Sequence, residues 1–290
     1  MHYQHMHVFG EVLFDCFPSG ETVLGGAPFN VAWHLQALGD QPRFVSRIGR
    51  DPLGEKIVAA MDSWGLDTTQ LQVDSERPTG QVQIEIDDGE PSYDIRAGAA
   101  YDYIDASQVT PAAAQDIVYH GSLALRHEVS REALLALTRD RDCAIFMDVN
   151  LRDPWWERDR ILGWLERARW AKMNEHELQA LGFDAADMHT NMDALQAQFP
   201  QMEHVIVTRG RQGALIRTRD GAFHEQTPPP EPPRVDTVGA GDSFSAAYLH
   251  GLRAGWPVMR MIEVAQGVAA QIIGVRGATP RDPAFYAPFK

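Results

Sequence analysis

Lysine is nearly missing from this chain: only Lys56, Lys172 and Lys290 occur in 290 residues. Basic charge is short as a whole, with 26 lysines and arginines against 40 aspartates and glutamates, a formal net charge of −14. Nucleic acid and anionic membrane surfaces demand a basic footprint, so neither is expected as a partner. Cysteine is scarcer still. Cys16 and Cys143 stand far apart and outside any CxxC spacing, which argues against a disulfide framework or a zinc site. No run of about 18 apolar residues is present, and "MHYQHMHVFGEVLFDCF" has no basic region ahead of a long apolar stretch. The expected setting is therefore reducing and cytoplasmic. There is no Gly-Lys pair, so the GxxxxGK phosphate loop is excluded. The histidines of "HYQHMH" (His2, His5, His7) have no acidic or cysteine partner nearby, and no metal is expected there. No internal repeat occurs at a fixed period.

What is present is enough apolar material, 44% of residues, to bury a large core. Short β-rich runs alternate with helical ones: "RFVSRIG" then "PLGEKIVAAMDSWG", "DIVYHGSL" then "SREALLALTRD", "AIFMDVN" then "DRILGWLERA", and "HVIVTRG" before "GALIRT". This alternation predicts an α/β fold, a mostly parallel sheet with helices on both faces, and such folds bind ligands beyond the carboxyl ends of their strands. Two stretches break the pattern. In "TGQVQIEIDDGEPSYDIRA", Val82, Ile84 and Ile86 alternate with Gln81, Gln83 and Glu85 ahead of "DDGE", a hairpin signal with one wet face. Together with "EVLFDCFPSGETVLG" it is expected to form a small antiparallel β lid, residues 11–25 and 79–97, on a core of residues 1–10, 26–78 and 98–290. The cluster "PPPEPP" is expected to be a stiff surface connector.

Three small residues and an acid open the apolar run after "VDTVGAGDSF". The amides of Gly239, Ala240 and Gly241 can converge at a helix N-terminus to hold an anion. Asp242 would repel that anion, which makes sense if it deprotonates something beside it. A plain helix cap fits these four residues equally well, whereas a GxGxxG dinucleotide fingerprint fails at Phe244. A second segment, "GGAPFNVAWHLQALG", has paired glycines that admit close backbone approach. It also has Pro28 at a first-turn position, and Asn30, whose amide can both donate and accept.

These two segments resemble the two signatures of the PfkB, or ribokinase-like, carbohydrate kinases. "RIGRDPLGEKI", "DVNLR", "NEHE" and "VTRGRQG" fall between them in that family's order. The resemblance implies a ribokinase-like three-layer α/β/α fold and an ATP-dependent sugar kinase. It makes Asp242 the general base and Gly239, Ala240 and Gly241 the anion hole for the transferred phosphoryl, with Arg152 assisting. It places Asp15, Gly25, Gly26, Asn30, Arg96 and Asn150 on the sugar. Asn174, Thr208, Gly210, Gly213 and Gln266 fall on the nucleotide side, although Gln266 stands where the family usually has an asparagine. Asn174 and Glu177 would help hold Mg2+ through water, and Asp236 and Thr237 would seat a monovalent cation such as K+. A homodimer through the lid is a further expectation. Within the family, "GSLALR", "DVNLRDPWW" and "GEVLFDCFP" resemble bacterial fructokinases, which makes fructose the expected acceptor. 2-Keto-3-deoxygluconate, another sugar or a nucleoside is the alternative. A catalytically silent sugar-binding protein on the same fold would have lost the base, the anion hole or NxxE, and all three are intact. Arginine, at Arg96 and Arg152, is expected to supply the site's positive charge, with lysine playing little part.

Overall fold

The computed structural model describes residues 3–87, 90–139, 143–230 and 232–290. His2, Asp88 and Gly89 of "DDGE", and Glu231 of the proline cluster lie outside these residues.

The alternation read from the sequence is realised as two sheets. The strands, in chain order, are β1 (Met6–Phe9), β2 (Leu13–Cys16), β3 (Thr22–Gly25), β4 (Arg43–Gly49), β5 (Leu71–Asp74), β6 (Gly80–Asp87), β7 (Glu90–Ile95), β8 (Ile117–His120), β9 (Ala144–Asp148), β10 (Trp170–Asn174), β11 (His204–Thr208), β12 (Ala214–Thr218) and β13 (Phe223–Gln226). The helices are α1 (Ala27–Leu38), α2 (Pro52–Trp64), α3 (Glu128–Leu137), α4 (Arg158–Leu165), α5 (Glu175–Ala180), α6 (Met188–Gln198), α7 (Ala240–Ala254) and α8 (Val258–Ile272). Among the described residues the large sheet runs β13-β12-β11-β10-β9-β8-β1-β4-β5. Its strands from β11 to β5 are parallel, and β12 and β13 close one edge antiparallel.

Successive residues of a strand point to opposite faces, and here they feed two separate cores. Ile145 and Met147 of β9, Ala171 and Met173 of β10, and Val205 and Val207 of β11 pack with α3, α4 and α6. Ala144 and Phe146, Trp170, and Ile206 pack with α1, α2, α7 and α8 on the other face. The result is the three-layer α/β/α fold. Helix boundaries follow local chemistry. Asp51 caps α2 by accepting from the Gly54 amide at 2.8 Å, and Pro28 occupies the first turn of α1.

The small sheet runs β3-β2-β6-β7. Its β2–β3 and β6–β7 pairings are antiparallel as expected, but β2 and β6 pair in parallel, so the lid is a mixed sheet joining two hairpin-like segments. Leu13 and Asp15 of β2, two residues apart, share the face that looks into the crevice described next, with Val82 of β6 and Ile95 of β7 beside them.

Candidate active site

The chain leaves β1 for the lid and then enters β4 on one side, while β8 lies on the other. The sheet therefore reverses its winding at β1, and a crevice opens at the carboxyl end of such a strand. A cavity of about 720 Å³ occupies it, between the strand ends, the lid and the start of α7.

The same parity that separates the two cores aims polar side chains into this space. Asp148 of β9 follows Phe146, Lys172 and Asn174 of β10 follow Trp170, and Thr208 of β11 follows Ile206, all toward the α7 layer. The ladder register aligns Lys172 with Asp148 and Asn174 with Thr208. Lys172 is 7% exposed, and its Nζ donates to Asp148 Oδ1 and Oδ2 at 3.1 and 3.0 Å. Burial works against the Lys172 charge, but the carboxylates of Asp148, Glu177 and Asp242 more than offset it and hold the ammonium above the ordinary lysine range. Asn174 and Glu177 form a capping box at the start of α5. Glu177 also accepts from the Leu151 amide at 3.0 Å, which ties the NxxE turn to the loop carrying Asn150 and Arg152. Asn150 bends that loop with φ of 39°, a left-handed conformation that asparagine tolerates.

α7 begins on the left-handed Gly239, φ 82°, with no side chain capping its first turn. Apart from the Ala240 amide, which donates to the Thr237 carbonyl at 3.5 Å, the first turn is thus open to a ligand, and the positive end of the helix dipole points into the cavity. Asp242, in that first turn, accepts from Asn30 Nδ2 at 2.8 Å. Burial pushes the Asp242 carboxyl up to about 6; the Asn30 hydrogen bond pulls it down, the Asp148 charge pushes it up, and Lys172 and Arg152 pull it down. Asn30 itself is 3% exposed, and its Oδ1 has no hydrogen-bond partner among the described residues. Asp15 reaches in from the lid, its carboxyl also raised to about 6 by burial.

Of the residues singled out from the sequence, Asp15, Gly25, Gly26 and Asn30 line the cavity together with Asn150, Arg152, Asn174, Glu177, Thr208 and Thr237. Gly239, Gly241 and Asp242 complete that group. Others lie outside the lining. Ala240 is the first residue of α7. Arg96 is exposed beyond β7 and accepts at its carbonyl from Arg126 Nη2 at 2.6 Å. Gly210 and Gly213 bracket the β11–β12 turn, where a Cβ on Gly213 would come 2.0 Å from the Gln226 carbonyl oxygen. Gln266 is buried on α8. Asp236 accepts from the Val238 amide at 3.0 Å and the Gly277 amide at 3.2 Å, tying the strap ahead of α7 to the loop after α8.

Two buried charged lining residues escaped the sequence reading. Glu11 lies two residues beyond the end of β1 at the switch point, 2% exposed. Its Oε2 has no hydrogen-bond partner among the described residues, and burial pushes its carboxyl up to about 7. The signal available was an acid at the end of the first strand. Lys172 is the other, and its signal was its place two residues before Asn174 on one strand. The arrangement can hold an anion at the α7 amides while Asp242 takes a proton from a hydroxyl beside it.

Comparison with known proteins places the chain in a family. Residues 10–284 match the pfkB family carbohydrate kinase model, and the chain belongs to that family. It is an ATP-dependent carbohydrate kinase. The chain is 30% identical to a fructokinase of Klebsiella pneumoniae over 98% of its own length and 96% of that protein. It is 31% identical to fructokinase-1 of Zea mays over 83% and 80% of the two chains. Among solved structures, fructokinase from Vibrio cholerae O395 with fructose, ADP and calcium ion bound superposes with a TM-score of 0.86 at 23% identity, covering 99% of both chains. Aminoimidazole riboside kinase from Salmonella enterica, with its riboside and an ATP analogue, gives 0.85 at 24% over 99% of both; at these identities the likeness is one of fold. Among the described residues no helix is long and apolar enough to cross a membrane.

Proposed function

We propose that the protein transfers the γ-phosphate of ATP to a hydroxyl of fructose, with Asp242 as general base. The observation that carries this is the Asn30–Asp242 contact at the uncapped start of α7, in one cavity with Asp15 of the lid. Its second support is the fructokinase relatives at about 30% identity over most of the chain. The acceptor sugar lies against Asp15 and Asn30, whose oxygens accept from its hydroxyls. Asp242 removes the proton from the attacking hydroxyl, and the α7 amides receive the charge on the phosphoryl group in transfer. Closure of the lid over the cavity excludes water and suppresses hydrolysis of ATP.

Asn174 and Glu177 are the residues that would hold magnesium, through its water shell. Among the described residues no group of three or more histidine, cysteine, aspartate or glutamate side chains could form a metal cage. That fits magnesium, which takes one or two carboxylates along with substrate phosphates. When bound, it supplies charge neutralisation at the ATP phosphates.

An ADP-release assay over fructose, 2-keto-3-deoxygluconate, ribose, other ketoses and nucleosides tests the assignment. Fructose is expected to give the highest kcat/KM, and a ranking led by ketodeoxygluconate or a nucleoside would overturn it. Asp15→Ala removes a charged acceptor worth about 1.5–3 kcal/mol, roughly 10- to 100-fold. That loss is expected in the sugar KM with the ATP KM nearly unchanged. A loss confined to ATP would remove Asp15 from the sugar.

The acid limb of the pH profile follows from Asp242. Its folded pKa is raised from the ordinary 3.8 to about 6, and only the ionised form can take a proton. kcat/KM for the sugar is therefore expected to level off above pH 7 and to fall about tenfold per unit below pH 6. A kcat/KM flat to pH 5 would remove a titrating base from the step.

A further inference from the structure

We propose that Lys172 is a catalytic residue whose ammonium contacts the transferred phosphoryl group, with Asp148 as the residue that positions it; this rests on the phosphoryl-transfer chemistry proposed above. β10 is a central parallel strand whose neighbours β9 and β11 are apolar almost throughout, as strands covered on both faces are. A lysine in its middle is anomalous, and replacing a buried ion pair by apolar residues is often neutral or stabilising. Fold stability thus gives little reason to keep it.

The geometry supplies another reason. Lys172 Nζ has three protons, and among the described residues its hydrogen bonds go to one carboxylate, that of Asp148. That carboxylate is itself fixed, accepting also from Ser245 Oγ at 2.8 Å and Tyr119 Oη at 3.4 Å. With two protons on Asp148, a third is left for the cavity that Lys172 lines. On that side stands the first turn of α7, where a Cβ placed on Gly241 would lie 3.1 Å from Nζ. Because residue 241 is glycine, no side chain of that residue stands between the ammonium and an anion held by the α7 amides. Arg152, to which sequence reading gave the site's positive charge, is exposed and donates to its own neighbour's carbonyl, Leu151, at 3.0 Å.

Lys172→Met alone leaves Asp148 buried and unpaired, so the decisive protein is Lys172→Met combined with Asp148→Asn, which removes both charges. The double variant is expected to keep wild-type Tm and ADP affinity and to lose about 10²- to 10³-fold in kcat, the usual loss when one preorganised donor to a developing anion is removed. It should lose a similar factor in affinity for ADP with aluminium fluoride and sugar, a mimic of the phosphoryl in flight. Recovery of kcat to within fivefold of wild type would show that Lys172 merely neutralises Asp148, and the proposal would fall. Should the double variant not fold, the wild-type protein answers. With three lysines in the chain, the Lys172 ammonium is readily assigned by 15N NMR. It is expected to shift on adding ADP, aluminium fluoride and sugar together but not sugar alone, and no shift would overturn the contact. Fructose or the best acceptor of the panel serves as sugar. A wild type that releases ADP with none of them overturns the kinase chemistry and the lysine's role together, whereas an active wild type matched by an active double variant overturns only the latter.

Discussion

Asp242→Asn is expected to lower kcat by about 10³-fold, within the range that positioned acid–base groups contribute, while leaving the KM values for sugar and ATP within a few-fold of wild type. The substitution keeps the shape of the side chain, and its amide oxygen can still accept from Asn30 Nδ2, now at 2.8 Å from the carboxylate. What disappears is the ability to take a proton. Asparagine also removes a negative charge from the mouth of the anion site, so ATP affinity is expected to rise slightly if it changes at all. The acid limb near pH 6 should vanish with the base, leaving a residual rate independent of pH from 5 to 8. Steady-state kinetics across that range checks all three statements. A variant with near-native kcat would remove Asp242 from proton transfer and leave it only the hydrogen-bond partner of Asn30.

Much of this architecture is legible in the sequence because the layers impose period. Fully covered parallel strands must be apolar on both faces, so "AIFMD" and "HVIVT" stand out. "NEHE" marks a helix start because Asn174 and Glu177 satisfy free amides there, and "GAGD" marks one because its small residues leave the first turn uncapped. Pairing direction is not written in the same way. β2 and β6 pair residues 67 positions apart, as Cys16 and Gln83 show, and alternation suits parallel and antiparallel neighbours alike. Lys172 illustrates a second limit. A single charged residue in an apolar strand does not reveal what lies across from it, and its meaning depends on Asp148 on the next strand and Gly241 at the start of α7. Glu11 likewise looked like any acid after a strand until the switch point buried it.

The second large effect concerns backbone placement, and α7 contains its own control. Gly239 and Gly255 sit at opposite ends of the helix, both left-handed, with φ of 82° and 69°. Alanine at either position incurs the cost of a side chain in that region, about 1–2 kcal/mol. At Gly255 nothing lies within 4 Å of the added Cβ, so that cost is the whole effect, a fall in Tm with kcat unchanged. At Gly239 the Cβ would come 2.4 Å from Ala278 Cβ and 2.9 Å from Ala278 Cα. Ala278 belongs to the loop that Gly277 ties to Asp236, so it cannot simply withdraw. The helix start has to move, and the amides proposed to receive the phosphoryl charge move with it. A misplacement of about 1 Å in such a site costs roughly 10²-fold in rate. Gly239→Ala is therefore expected to lose about 10²-fold in kcat on top of a Tm fall larger than that of Gly255→Ala. Equal kcat values for the two variants would mean that the start of α7 does not hold the phosphoryl group.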